Sequence, residues 1–536
     1  MAVYKIFPSQ DASIYSAYPA MNTGLDAILD VGNSVTSSNP TAQVARSLIK
    51  FDNSEINNVI NNIAPGFITG SNWRGSTSGS QEGGNWEACL KAYVAKADGV
   101  LIDSFIEVYP ISGSWFNGSG QYLDNQVITN GCSWVYRTFS QSAATDGAGN
   151  PKGKWMTSGF GTGATGSFSG SDNAGGGNWY WTAGANGYNG IDAFTGSQYT
   201  QSFGLRSQKD LNIDVTNYIK IWYSSSNNLI APSSQTNIAN EGFMVKWQDE
   251  REFVTNFAES PQIAYYAIDT NTIYPPTLEI KWRDFSYATT IGAVKTGTFL
   301  SGSNFPTVPG DTNFPTINNS ASLSPFNSPI TFANFTASRV GTGSGDNIHI
   351  DLTMNGHSIT RAKVTKGGEG YKAGDKIRIT SQSILDEQLI DFVSGDLDFV
   401  LLSTQIDNLD VIDTPDMFVA LDDNPGIFYS ESINKFRLNV RPDFPKRTFL
   451  TSSIETQNHA LPSASYYAIK DLDTNEYVVD FDTKYTQISC DVTGSHFTVY
   501  MNGLEPERYY QILVQTTVNG NTIVKDEEYY FKVVNG

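Results

Sequence analysis

Apolar and polar residues alternate along this chain in short patches rather than in long helical runs. Arg46 to Phe51 (R-S-L-I-K-F) places Leu48 and Lys50 on one side of a strand and Ile49 and Phe51 on the other, a largely apolar run with one solvated residue. In Phe105 to Pro110, Phe105, Glu107 and Tyr109 alternate with Ile106 and Val108, and Pro110 ends the strand. Val215 to Trp222 breaks the pattern. There Val215, Tyr218, Ile219 and Trp222 recur at helical spacing with Asp214 or Thr216 available as a cap, which predicts a two-turn helix closing the end of a large β-sandwich.

Beyond Trp282 the pattern changes. Thr289 to Pro329 is rich in Ser, Asn and Gly with Pro306, Pro309, Pro315, Pro325 and Pro329 spread through it, and predicts an extended arm or linker over residues 287–329. A repeated N-F-P-T sets Phe305 and Phe314 in this arm as candidates for docking on a neighbouring subunit. Residues 330–404 predict a small β domain: I-H-I-D-L-T-M alternates at period 2, and clustered glycines in G-G-E-G-Y-K-A-G-D (Gly367 to Asp375) turn the chain between strands. From 405 to 536, K-F-R-L-N-V, Q-I-S-C-D-V, F-T-V-Y-M, Y-Y-Q-I-L-V-Q-T-T-V and Y-Y-F-K-V-V read as regularly spaced strands of a second sandwich.

Composition fits an all-β chain with several modules. Gly 48, Tyr 27 and Phe 30, with charged residues at 16%, favour strands and turns over charged helices. The formal net charge is −20 from 34 basic and 54 acidic residues, and no run of Lys and Arg marks a nucleic-acid footprint along the sequence. Cys89, Cys132 and Cys490 lack C-x-x-C spacing, which argues against a disulfide scaffold or a zinc site and for assembly in a reducing cytoplasm. Met1 to Asp11 lacks the basic-then-apolar pattern of a secretion signal, and no run of apolar residues is long enough to span a bilayer.

The ordered series D-A-S-I-Y with N-T-G (Asn22 to Gly24), R-S-L-I-K-F-D, W-F-N-G-S-G, N-G-C-S-W-V-Y-R, D-V-T-N-Y-I-K-I-W, E-G-F-M-V-K-W and P-P-T-L-E-I-K-W resembles the DNRLRE domain. That resemblance covers roughly residues 1–286 and implies a jelly-roll-like β-sandwich of a kind that also occurs as a carbohydrate-binding module. A Gly/Ser-rich insertion between Trp155 and Tyr199 departs from the family pattern. The G-G-x-G-Y-x-x-G-D stretch is similar to one that recurs in structural proteins of tailed bacteriophages. N-G-L-E-P-E-R-Y-Y-Q-I-L-V resembles fibronectin type III and immunoglobulin-like domains, where Tyr509 or Tyr510 would form the tyrosine corner.

Catalytic constellations are thin. His349, His357, His459 and His496 form no H-E-x-x-H, and no G-x-S-x-G elbow occurs. Gly161 to Gly166 spells G-x-G-x-x-G but sits in glycine-rich loop, where chance explains it. Asp471, Asp473 and Asn475 have the odd spacing of a calcium loop, yet Glu476 and Asp482 stand where Gly and Glu belong, and a hairpin turn explains them. Neither Glu369 nor Asp375 has a catalytic setting, and no carboxylate pair is singled out for glycoside hydrolysis.

Aromatic residues are the remaining candidates for carbohydrate binding or protein contact: Trp73, Trp86, Trp115, Trp179, Tyr180 and Trp181 lie in loop-like stretches, with G-N-W-Y-W-T-A-G the best of these. Trp134, Trp222, Trp247 and Trp282 fall on regular elements and are assigned to the core. No catalytic residue, cofactor or metal ligand is assigned.

The expected function is that of a non-enzymatic structural protein of a tailed bacteriophage particle, in tail, baseplate, neck or capsid surface. It would assemble in the host cytoplasm, form an oligomer and dock on other virion proteins, with no nucleic acid and no membrane insertion. A carbohydrate-binding adhesin recognising a host surface glycan is the alternative, and a polysaccharide-degrading enzyme ranks last.

Overall fold

The computed structural model describes residues 2–36, 39–65, 68, 86–100, 103–122, 130–139, 153–155, 161–162, 175–179, 199–227, 239–256, 260–290, 292–300, 330–341, 346–355, 358–380, 396–406, 409–422, 424–444, 448–449, 454–455 and 458–536. Two compact units emerge, one of Ala2–Arg283 with Asn502–Glu505, the other of Met1, Asp284–Met501 and Pro506–Gly536. Both are built from β-sheets.

The N-terminal unit is a sandwich. One sheet runs β1 (Ala2–Ile6), β14 (Thr277–Trp282), β5 (Trp86–Ala92), β11 (Leu211–Asp214). The other runs β10 (Thr200–Phe203), β7 (Ser104–Pro110), β12 (Phe243–Trp247), β4 (Asn39–Phe51), β3 (Ile28–Thr36), β13 (Gln262–Tyr266), β6 (Val94–Asp98), with β2 (Pro8–Tyr15) also on β4. Because side chains alternate, Ile49, Phe51, Ile106, Val108, Phe243 and Val245 share the inner face and are all buried.

The helix expected around Val215 forms at Thr216–Ser226, a turn longer than predicted. Its first N–H groups are met by Asp214, whose carboxylate accepts from the Thr216 N–H at 2.8 Å. Its apolar stripe closes the sandwich: Trp222 packs on Phe243 with ring centroids 4.7 Å apart, and Tyr218 stacks on Tyr199 at 4.1 Å.

Alternation also puts Val44, Arg46, Leu48, Met244, Lys246, Glu107 and Tyr109 on the outer face of the larger sheet, where water would meet them in a two-layer sandwich. Here the chain following β7 folds back over that face. Ile111, Trp115, Cys132, Trp134, Trp155 and Trp179 pack against Ala12, Ile14, Val44, Leu48 and Met244 as a second core. Within this layer β8 (Gly161–Thr162) pairs with β9 (Asn178–Trp179).

In the second unit, a six-stranded sheet runs β15 (Phe299–Leu300), β18 (Ser358–Glu369), β17 (Asp346–Asn355), β16 (Ile330–Arg339), β19 (Lys376–Ile379), β20 (Leu397–Val400). Residues 287–300 were expected to begin an extended arm; they are built into the fold instead. Tyr287 bridges to Cys490 and donates its hydroxyl to the Leu461 carbonyl at 2.6 Å. Val294 bridges to Ile406, the Lys295 N–H bonds the Gln405 carbonyl, and β15 pairs with β18, so this segment ties β18 to the chain that follows β20 and curls the sheet into a half-barrel. Its scattered apolar residues, diluted by Gly and Thr, show no period; Val294 and Leu300 are the ones buried in the core of this module, with Tyr371, Ile377 and Phe399. Phe305 and Phe314 lie outside the described residues.

The glycine motif of this module has a steric cause. A Cβ on Gly367 would stand 1.9 Å from the Val294 carbonyl oxygen, so a side chain there would push the closing segment off the barrel.

The C-terminal module packs the sheet β21 (Met417–Asp422), β23 (Ile433–Pro442), β29 (Gly494–Tyr500), β28 (Ser489–Asp491) against β22 (Ile427–Tyr429), β31 (Asn521–Val534), β30 (Tyr509–Val518), β26 (Ser465–Asp471), β27 (Tyr477–Val479). A short pair, β24 (Thr448–Phe449) and β25 (Ile454–Glu455), stands apart. Stacked rings of Phe436, Phe497 and Tyr467 fill the space between the two sheets, at 5.4 and 4.3 Å. Of the two tyrosine-corner candidates, Tyr510 is buried and Tyr509 points outward.

Candidate functional site

The tryptophans singled out in the sequence as exposed platforms are, where described, internal. Trp86, Trp115 and Trp179 are each 4–5% exposed. Trp179 is held by β9 and by a bridge to Ile111, and its ring lies 6.1 Å from that of Tyr109. The Trp115 indole N–H donates to the Glu241 carbonyl at 2.8 Å, and Trp86 sits opposite Trp282 in register on β5. None of the three offers a free ring face to a sugar: Trp115 and Trp179 belong to the layer covering the outer face of the larger sheet, and Trp86 is a strand residue of the smaller one. Trp73, Tyr180 and Trp181 lie outside the described residues. Trp134, Trp222, Trp247 and Trp282 are in the interior.

Covering that face buries two cations. Arg46 is fully buried, forms a bidentate pair with Glu252 at 2.6 Å for both bonds, donates to the Gly176 carbonyl at 2.6 Å, and lies 5.1 Å from the ring centroids of both Trp134 and Trp179. Lys246 reaches Glu107 at 3.3 Å and the Trp247 carbonyl at 2.7 Å. A buried guanidinium needs this degree of satisfaction, since an unpaired charge there costs several kcal/mol, on the order of 3–5. The cluster clamps the covering layer to the sheet.

A second knot brings three separated sequence motifs together. The Asn22 carboxamide donates to the carbonyls of Asn117 (2.5 Å) and Cys132 (2.7 Å) and accepts from the Gly120 N–H (2.8 Å), so N-T-G, W-F-N-G-S-G and N-G-C-S-W-V-Y-R meet at one side chain. Gly118 and Gly131 both adopt positive φ and approach so closely that a Cβ on Gly118 would stand 2.7 Å from the Gly131 Cα.

Around this rigid knot lies an exposed aromatic corner that the sequence reading missed. Tyr18 is 52% exposed and Tyr122 44% exposed, with rings perpendicular at 5.9 Å, and Leu25 stands beside them. Tyr122 is fixed from behind: its N–H bonds the Asp26 carboxylate, and its ring meets the edge of Tyr15, whose hydroxyl donates to Asp30 at 2.7 Å. The available signal was positional. Tyr18 and Tyr122 flank the N-T-G and N-G-S-G turns, where a rigid loop tip leaves large side chains outside.

The other candidates resolve into structure. Asp471 caps its own hairpin turn by accepting from the Asp473 and Thr474 N–H groups, and Arg508 binds it at 2.6 Å. Burial opposes its ionisation, but the Arg508 bond and the turn N–H groups outweigh that and hold its carboxyl below the ordinary range. Asp375 pairs with Arg339 at 2.6 Å. Among the described residues, no group of three or more His, Cys, Asp or Glu is arranged to hold a metal ion. All three cysteines are free and buried.

One correction concerns basic residues, which read as dispersed along the sequence. In register on β18, Arg361, Lys363 and Lys366 pair with Thr353, Asp351 and His349 of β17 and form a stripe. The chain matches no protein-family model, and no curated protein matches it in sequence.

Proposed function

We propose that the chain is a non-enzymatic structural component of a tailed bacteriophage particle, docking on its neighbours through β modules. The observation that carries this reading is the third layer over the N-terminal sandwich: its tryptophans are spent on internal packing, which suits a rigid scaffold. The half-barrel module, tied by residues 292–300 to the chain that follows β20, suits a rigid assembly unit. The resemblance of the glycine motif and of the C-terminal strands to virion and immunoglobulin-like modules points the same way. The test is mass spectrometry and imaging of purified particles, in which the chain is expected as a stoichiometric component. Its absence from the particles sinks the reading.

The Tyr18–Tyr122 corner favours a second reading, a carbohydrate-binding adhesin. Its perpendicular, anchored and half-exposed rings offer a stacking face. A glycan array probed with the full chain should show binding lost in Tyr18→Ala and Tyr122→Ala if this reading holds; no signal from the unmodified chain removes it.

A further inference from the structure

The Tyr18–Tyr122 corner has a feature that stacking on a neutral sugar leaves unused: carboxylates stand behind its rings. Asp26 accepts the Tyr122 N–H through both oxygens, at 3.1 and 3.2 Å. Tyr15, whose ring centroid lies 5.1 Å from that of Tyr122, donates its hydroxyl to Asp30 at 2.7 Å. The Tyr122 phenol is raised above its ordinary value by burial first, and then by Tyr18, Asp30 and Asp26, so both carboxylates place negative potential at this ring. The rings add to it, because the face of an aromatic ring is the negative part of its quadrupole.

The walls of the corner are set before any ligand arrives. Tyr18 and Tyr122 stand at 90° with centroids 5.9 Å apart. The Tyr18 N–H donates to the Tyr15 carbonyl at 3.2 Å, and its own carbonyl accepts the Met21 N–H at 3.0 Å. The Leu25 N–H bonds the Gly120 carbonyl at 3.0 Å and ties the two turns together. A ligand entering here therefore has little side-chain ordering to offset.

Other tyrosine rings of the chain carry a cation of its own: Lys532 lies 5.8 Å from the Tyr509 centroid and Lys484 4.9 Å from that of Tyr485. Among the described residues, no Lys or Arg lies over Tyr18 or Tyr122. Burial raises the Asp30 carboxyl while the Tyr15 hydroxyl and Lys96 oppose that, and Lys96 itself is exposed and bound to Asp98 at 2.6 Å. Right-angled aromatic walls backed by carboxylates suit a group that is at once apolar and positive. A primary ammonium is strongly hydrated and gives up much solvation on entry, whereas a trimethylammonium presents methyl groups to the rings. Leu25, 40% exposed beside the rings, adds apolar contact for those methyls.

We propose that the Tyr18–Tyr122 corner binds a quaternary ammonium group of the choline type. The formal charge of −20 enriches such cations near the chain. The ligand is defined by the corner alone and does not depend on a sugar being bound there.

Saturation-transfer NMR on the methyl protons of choline, titrated against the full chain at constant ionic strength, tests this. A dissociation constant on the order of 1 mM or below is expected. Dimethylbutanol, the uncharged carbon isostere, should bind about tenfold more weakly. Tyr18→Ala and Tyr122→Ala should each weaken choline about fivefold or more, whereas Tyr18→Phe keeps the ring and should bind as the unmodified chain does. Asp26→Asn keeps an acceptor for the Tyr122 N–H and removes the charge; it should weaken choline about threefold and leave dimethylbutanol unchanged. Circular dichroism should show each variant folded. Given choline binding, co-sedimentation with phosphatidylcholine vesicles separates the sources of the group: uptake places it on a lipid headgroup, and no uptake on a soluble or polymer-borne ligand. No choline binding, equal affinity for dimethylbutanol, or affinity insensitive to Tyr122→Ala and Asp26→Asn overturns the proposal. A glycan-array signal from a chain that ignores choline also overturns it, while the adhesin reading stands; choline binding by a chain silent on the array does the reverse.

Discussion

At the scale of single residues, the molecule depends on a few polar side chains with no exposure. Asn22 is the clearest, since one carboxamide satisfies backbone groups of Asn117, Gly120 and Cys132. Asn22→Ala would leave those groups unmet, and should lower stability by about 3 kcal/mol, read from the denaturant midpoint. Asp11, the first residue of D-A-S-I-Y, is buried on β2 and accepts from the Ile268 N–H at 2.7 Å. Burial pushes its carboxyl from the ordinary 3.8 up to about 7. The folded chain therefore holds a proton that the unfolded chain releases between about pH 4 and 7, so this group's contribution to stability falls as pH rises through that window. Asp11→Asn keeps the acceptor and cannot ionise. Its melting temperature should gain on that of the unmodified chain as pH rises from about 4 to 7, and a difference that stays flat with pH would show that Asp11 does not titrate there.

At the scale of elements, the strands were legible because alternation and buried runs survive in the sequence, as in Phe105 to Pro110. What covers each face was not legible. Nothing in the sequence marks Arg46 and Lys246 as buried, and the aromatic loops read as candidate contact surfaces; the structure puts the two together, so that each explains the burial of the other. Removing one partner should be worse than removing both. Arg46→Ala is expected to cost about 3–5 kcal/mol, because Glu252 is left charged and buried, whereas Arg46→Met with Glu252→Leu should recover most of that loss in equilibrium unfolding. Trp179→Ala should cost about as much through the cavity it opens. A loss below about 1 kcal/mol would mean that Trp179 does not support the layer. Residues 292–300 were hidden for another reason: scattered apolar residues among Gly and Thr give no period, and their partners, on β18 and after β20, are far apart in sequence.

At the scale of the whole molecule, net charge sets how strongly copies repel one another in solution. The sequence pI is about 4.6, so net repulsion between copies vanishes near that pH and solubility should pass through a minimum there. Lys363→Glu with Lys366→Glu, both at exposed positions, subtracts two charges at each, taking the formal net charge from −20 to about −24. The solubility minimum of this variant should move slightly below pH 4.6, read by light scattering across pH. A minimum that stays at pH 4.6 would show that total charge does not govern how copies meet.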